Sequence, residues 1–187
     1  TKNKIQAFFH APYIINLARD LSKNKQPLSR LRSDLELGTA IGFKGVVVHV
    51  GKSLKMSIEE ALKNMKDNII EIIKYTSKDC PLLIETPAGQ GSEMLTDIKD
   101  FADFYNDFSD LEREFLGTVV DTCHVFAIGY NPYRYLKTLK REYNVPVNLM
   151  HYNDSKEELG SRRDRHEVIG MGKIPLKNLK KCAERAI

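Results

Sequence analysis

Val46-Val47-Val48-His49 is an unbroken β-branched run closed by an imidazole. Three successive valines leave no polar side for solvent. The segment therefore reads as a strand covered on both faces, as in a parallel sheet clothed by helices. The arrangement recurs along the chain. Ile5-Gln6-Ala7-Phe8-Phe9-His10, Leu82-Leu83-Ile84-Glu85, Val119-Val120-Asp121 and Val147-Asn148-Leu149-Met150-His151 are mainly apolar and end on an imidazole or a carboxylate. His124 follows three residues after Asp121, and the fifth histidine lies in Arg163-Asp164-Arg165-His166. Buried strands that each deliver one donor at the C-terminal tip describe the rim of a parallel barrel, where metal sites are built.

Working outward, strands are predicted at 5–9, 45–50, 81–85, 117–121 and 146–151. Their starts recur at about the 30-residue length of a βαβ unit or slightly more. The segments between read as helices. Ser57 and Glu60 form a capping-box pair at the head of a helix reaching about Tyr75. Ile58, Ala61, Leu62, Met65, Ile69, Ile72 and Ile73 fall on one face of it. Leu28–Ile41 reads as a helix stopped by Gly42. Further helices are predicted at 97–108, at 132–143 with Pro132 in the first helical position, and at 176–185 after Pro175. From Asp154 to Ile174 the sequence reads as one long irregular stretch; such loops are usually functional or disordered, and Asp164 and His166 within it argue for function. The class is α/β. A closed (β/α)8 barrel usually needs about 250 residues. The 187 residues are therefore expected to form a single domain covering about five strand-helix units of a longer barrel.

Composition narrows the class without deciding it. Hydrophobic residues make up 42% and charged residues 29%, as in an ordinary globular domain. No run approaches the roughly 18 apolar residues of a membrane span. Cys80, Cys123 and Cys182 cannot pair completely and show no CxxC spacing, which fits free thiols in a reducing, intracellular compartment. A net charge of +4 permits a polyanionic partner but does not require one.

His10, His49, Glu85, Asp121, His124, His151, Asp164 and His166 are all nitrogen or oxygen donors. Mixed imidazole and carboxylate sets suit catalytic zinc or manganese. Eight donors exceed the needs of one four- or five-coordinate ion but serve two or three. Asp164 and His166 alternate, so one turn of extended loop projects them together. Taken singly, a histidine at a strand end is more often hydrogen-bonded than metal-bound; the case rests on every histidine obeying one rule.

Glu85-Thr86-Pro87-Ala88-Gly89-Gln90-Gly91, Asp121-Thr122-Cys123-His124, His151-Tyr152-Asn153-Asp154-Ser155-Lys156 and Gly160–Glu167 followed by Ile169-Gly170-Met171-Gly172 resemble the signature segments of the endonuclease IV family of AP endonucleases. His10-Ala11-Pro12-Tyr13 and His49-Val50-Gly51 match two weaker ones. The resemblance implies a TIM barrel with three zinc ions, manganese being an option at one site. It implies cleavage of duplex DNA on the 5′ side of abasic sites, leaving a 3′-hydroxyl and a 5′-deoxyribose phosphate. Carried over, His10 and His49 hold one metal, and Glu85 bridges to a second. Asp121 and His151 help hold the second, and His124, Asp164 and His166 hold the third. The family pattern also has two strand-helix units at the start and a last strand carrying one more glutamate, which the 187 residues are expected to lack. Tyr13 and Ile14 stand where the family places an apolar wedge. Gly89, Gln90 and Gly91 would admit the DNA backbone, and Arg162, Arg163 and Arg165 would meet phosphates. Glu85 would be the catalytic carboxylate, beside a hydroxide attacking in line. Gly170-Met171-Gly172-Lys173 lacks the spacing of a phosphate loop, so no nucleotide cofactor is expected. A monomer is expected, with no membrane partner.

Two competing readings stand beside this one. A metal-dependent sugar isomerase or epimerase on the related barrel would use one or two ions, and the Asp164/His166 pair argues against it. A catalytically inactive DNA-binding segment would follow from the missing glutamate.

Overall fold

The computed structural model describes residues 5–22 and 25–186. In chain order these form β1 Phe9–His10, α1 Gln26–Ile41, β2 Val46–His49, α2 Ile58–Ile72 continued by a 3-10 turn Ile73–Tyr75, and β3 Leu82–Glu85. There follow α3 Ile98–Asn106, α4 Asp110–Arg113, β4 Leu116–Asp121, α5 Thr122–Ala127, α6 Pro132–Arg141, β5 Leu149–His151, β6 Asp154–Ser155, β7 His166–Glu167 and α7 Leu176–Ala186. One sheet takes the strands in the order β1-β2-β3-β4-β5, and β6 pairs with β7 in a second. The β1–β2 and β4–β5 pairs are parallel, with Val47 opposite His10 and His151 opposite Asp121. Neighbouring strands in sequence order, joined through helices, are the βαβ succession that the apolar runs predicted. All of β3 and β4 is buried, as are the three valines of β2. No helix among the described residues is long and apolar enough to cross a membrane.

The chain divides into two compact units. One comprises residues up to Ile84 together with Ser109–Gly117, and the other Glu85–Phe108 with Thr118 onward. In the first, α1 buries Leu31 and Leu35 and stops where Gly42, at φ 81°, turns its N–H back to Gly38 and Thr39. Helix α2 starts where the Ser57 hydroxyl accepts the Glu60 N–H at 3.1 Å. It buries Ala61, Met65, Ile69 and Ile72. Ile58 is a correction to the predicted face, being 56% exposed. At the first helical position the Cα–Cβ bond tilts back past the helix start, so the side chain misses the packed stripe. Asn68 on the same helix donates to the Leu17 and Arg19 carbonyls, at 2.7 and 3.0 Å, and fixes the long β1–α1 connection. Helix α4 was not predicted. Its signal was Ser109-x-x-Glu112, which closes a full capping box.

In the second unit, α3 and α6 are capped by Asp97 and Asn131, and Pro132 occupies the first turn of α6 as predicted. Helix α3 ends at Asn106, two residues short of the prediction. Helix α5 was not anticipated: the carboxylate that ends β4 is also the N-cap of α5. The stretch 154–174 is not irregular throughout. Asp154–Ser155 pairs antiparallel with His166–Glu167, so His166 sits in a strand.

Candidate metal centre

Each of the five strands of the main sheet ends on a predicted donor: His10, His49, Glu85, Asp121 and His151. The apolar residues of the β2, β3 and β4 runs lie in the sheet, whereas β1 keeps only Phe9–His10 of the predicted 5–9, with Ile5 95% exposed, and β5 only Leu149–His151 of the predicted 146–151. The first residue that must leave the sheet is the one with chemistry.

In the first unit, the His10 and His49 rings lie 5.0 Å apart. Tyr13 meets His49 edge-on at 4.6 Å. The Lys52 ammonium donates to the Tyr13 hydroxyl at 3.2 Å and lies 5.0 Å from the ring centroid. Asn16 ties the loops after β1 and β2 together. Its amide donates to the Lys52 carbonyl at 2.9 Å, and its oxygen accepts the Lys52 N–H at 3.0 Å. Gly51 is required beneath it, because a Cβ there would stand 2.4 Å from Ala18 Cβ. Ile14, next to Tyr13, is 89% exposed.

The second unit brings together the other six predicted donors. Glu85 Oε1 is 2.6 Å from His151 Nδ1 and 3.7 Å from His124 Nδ1. Asp164 reaches His124 Nε2 at 3.3 Å and His166 Nε2 at 3.0 Å. Asp121 Oδ2 is 3.6 Å from His166 Nε2 and 3.7 Å from His151 Nδ1. Donor atoms of Asp121, His124 and His166 lie within 4.8 Å of one another, as do those of Cys123, Asp164 and His166. The alternation of Asp164 and His166 does project both together.

Residues outside the predicted set orient these donors. The Asp121 carboxylate accepts the Cys123 and His124 N–H groups at 2.7 and 2.9 Å through Oδ1. Its Oδ2 accepts the Asn153 amide at 2.8 Å. The Thr122 hydroxyl donates to the Asn153 carbonyl at 2.6 Å and accepts the Asn153 N–H at 2.9 Å. The Thr86 hydroxyl accepts the Asp121 N–H, and the Thr86 carbonyl accepts His124 Nδ1–H at 2.8 Å. That last bond leaves Nε2 facing Asp164, and a carbonyl fixing the far nitrogen is the usual support of a metal-ligating imidazole. Asp154 is fully buried and accepts four backbone N–H groups, from Ser155 and Ile174 on Oδ1 and from Gly170 and Gly172 on Oδ2. The sequence signal for these residues was their place inside motifs already quoted; their bonding required the fold.

Burial works against a charge on His124. The Asp164 hydrogen bond and the Asp121 and Glu85 charges outweigh it and raise the imidazole to about 10. The Asp164 hydrogen bond likewise raises His166 against burial. In return the His124 and His166 hydrogen bonds hold the Asp164 carboxyl well below the usual range. Three carboxylates and three imidazoles thus converge. A dication suits such a set, because it satisfies the carboxylates and the imidazole lone pairs together. Burial raises the Cys123 thiol to about 11, so it stays protonated and hydrogen-bonded to Ser155.

The predicted DNA-contacting residues are placed as follows. Gly89 and Gly91 have φ of 79° and 61°. A Cβ on Gly89 would stand 2.9 Å from Ile128, so packing as well as conformation calls for glycine. Gln90 is held by its N–H to Glu93 Oε2 at 2.9 Å. Arg162, at φ 54°, donates its N–H to the Ala127 carbonyl. Arg163 and Arg165 are exposed; Arg163 stands 3.7 Å from Glu157, and Arg165 donates to the Asp164 carbonyl.

The family model described as xylose isomerase-like TIM barrel matches residues 1–185. The chain belongs to that family. Its sequence is 36% identical over 183 residues to a probable endonuclease 4 of Mycoplasmopsis pulmonis, covering 95% of this chain and 65% of the relative. The structure of endonuclease IV from Thermus thermophilus superposes with a TM-score of 0.76 at 29% identity, over 94% of this chain and 63% of that one. The resemblance to the endonuclease IV family is therefore borne out, as is the partial TIM barrel. A D-tagatose 3-epimerase-like protein superposes with a TM-score of 0.77 at 18% identity, over 99% of this chain and 68% of that one, a likeness of fold alone. The chain spans less than two thirds of the length of the endonuclease 4 relatives it matches.

Proposed function

We propose that the protein containing this chain is a metal-dependent endonuclease that hydrolyses the phosphodiester bond 5′ to abasic sites in duplex DNA. The observation that carries the reading is that every strand of the main sheet ends on a metal donor. The similarity to proteins named endonuclease 4 supports it. So does the Asp164/His166 pair beside Asp121 and His124, which supplies more donors than a one-ion site uses.

In this reading His124, Asp164 and His166 hold one zinc ion. Asp121, His151 and Glu85 serve a second, and His10 and His49 are ligands of a further ion. Bound metals would supply neutralisation of the phosphate and acidification of water. The chain's own residues position that chemistry. Thr86 fixes the His124 tautomer. Asn153 and the α5 N–H groups fix Asp121. Glu85, buried beside His151, is the carboxylate nearest the reaction, and no separate protein base is required. Tyr13 and exposed Ile14 enter the duplex where an abasic nucleotide is weakly stacked. Arg162, Arg163 and Arg165 meet phosphates. The protein acts as a monomer inside the cell.

The test is cleavage of a duplex bearing one tetrahydrofuran abasic analogue, with and without chelator. The analogue blocks β-elimination, so a chelator-sensitive nick leaving a 3′-hydroxyl is the expected result. No nick from protein carrying about three metals per chain would overturn the reading and turn attention to ketose isomerisation.

A further inference from the structure

We propose that the turn Val168–Met171 is a rigid apolar probe that contacts DNA beside the bond to be cut. This rests on the endonuclease reading and adds a contact to it. Val168 is 68% exposed, Met171 76% and Ile169 36%. Single exposed apolar residues are ordinary. Three within four residues form a patch, and patches mark interaction sites.

The turn is held far more firmly than a solvent loop requires. The Met171 N–H closes it onto the Val168 carbonyl at 2.9 Å. On either side of Met171, the Gly170 and Gly172 N–H groups reach Asp154 Oδ2 at 3.0 and 3.1 Å. The Ile174 N–H reaches Oδ1 at 2.9 Å, and the Lys173 N–H reaches the Ser155 carbonyl at 2.8 Å. Gly172 lies so close over the carboxylate that a Cβ would stand 2.4 Å from Asp154 Oδ1. One oxygen of a fully buried carboxylate therefore holds the backbone on both sides of Met171, and the other ties the end of the segment at Ile174. Such preorganisation removes the ordering cost from any contact the tip makes.

Its surroundings select the partner. Val168 follows His166 by two residues, so its Cα lies within about 7 Å of that donor's. Exposed Arg163 and Arg165 precede it in the same segment. A partner must then be anionic and also offer an apolar face, which a nucleic acid strand does through its bases and sugars. Val and Met side chains suit contact with a partly unstacked base step.

The test is the double substitution Val168→Ser/Met171→Ser in the metal-loaded protein. Readouts are metal per chain, the Kd for a tetrahydrofuran duplex, and the KM and kcat of nicking. The expected result is full metal content with Kd and KM raised about tenfold or more, as for loss of two partly buried apolar side chains. The change in kcat should be small beside that in KM. Val168→Ile/Met171→Leu should return Kd close to the parent's. Parental nicking with an unchanged Kd in the serine variant overturns the probe and leaves the endonuclease reading standing. A raised Kd that the apolar variant does not recover, or that accompanies lost metal, also overturns it. A parent that neither binds nor nicks the duplex overturns the endonuclease reading, and the probe falls with it.

Discussion

Asp154→Asn is the sharpest perturbation of the donor-bearing hairpin. Asp154 accepts four backbone N–H groups, two on each oxygen, with no exposure to solvent. Asparagine keeps the volume but offers one acceptor oxygen. If that oxygen serves Ser155 and Ile174, the amide NH2 faces the Gly170 and Gly172 N–H groups and two bonds are lost. Hydrogen bonds to a charged group contribute about 1.5–3 kcal/mol each, which gives a loss of about 3–6 kcal/mol. The lower cost of burying a neutral amide offsets part of it, leaving about 2–4 kcal/mol. The assay is urea denaturation of parent and variant at pH 7, read as a shift of midpoint at constant slope. Amide exchange at Gly170 and Gly172 is followed in parallel. A loss below about 1 kcal/mol, with both amides still protected, would refute the view that this carboxylate holds the turn.

Four further outcomes follow from the same geometry. Gly172→Ala should destabilise the protein, because its Cβ meets both Asp154 Oδ1 and the Ser155 carbonyl at 2.4 Å. Its effect should be well short of additive with Asp154→Asn. Glu85→Gln should abolish most nicking of abasic DNA while the protein keeps its fold; activity near the parent's with full metal content would remove Glu85 from the catalytic role. Cys123 and Cys182, raised to about 11 and about 12 by burial, should resist iodoacetamide at pH 8 until the protein is unfolded. Rapid labelling of either in the native protein would contradict their placement. In metal-free protein the raised His124 and His166 add stability that is complete below the unfolded imidazole value of about 6.5. That contribution is lost as pH rises, through about 10 for His124. The lowered Asp164 adds stability present above its unfolded value of about 3.9 and lost as pH falls toward its folded one. The thermal midpoint of chelated protein should therefore fall from pH 7 to 10; a rise over that range would count against the imidazole–carboxylate pairing.

The apolar runs and the residues that close them were legible in the sequence because two local rules agree. A strand buried on both faces must be apolar along its length, and the residue that leaves the sheet at its C-terminal end is free to carry chemistry. The runs ending at His49, Glu85, Asp121 and His151 therefore located both the strands and the donors. Helix starts at Ser57, Asp97 and Asn131 were local as well, since a cap bonds within its own first turn. Tertiary structure alone decided the rest. Nothing near His124 in sequence says that its Nδ1 will find the Thr86 carbonyl, 38 residues away. The stretch after Asp154 looked irregular because its pairing is made with only two residues on each side. Its stiffness comes from a carboxylate 16 to 20 residues from three of the N–H groups it accepts. Periodicity records which side of an element is buried; which distant polar groups meet there depends on the fold that brings them within hydrogen-bonding distance.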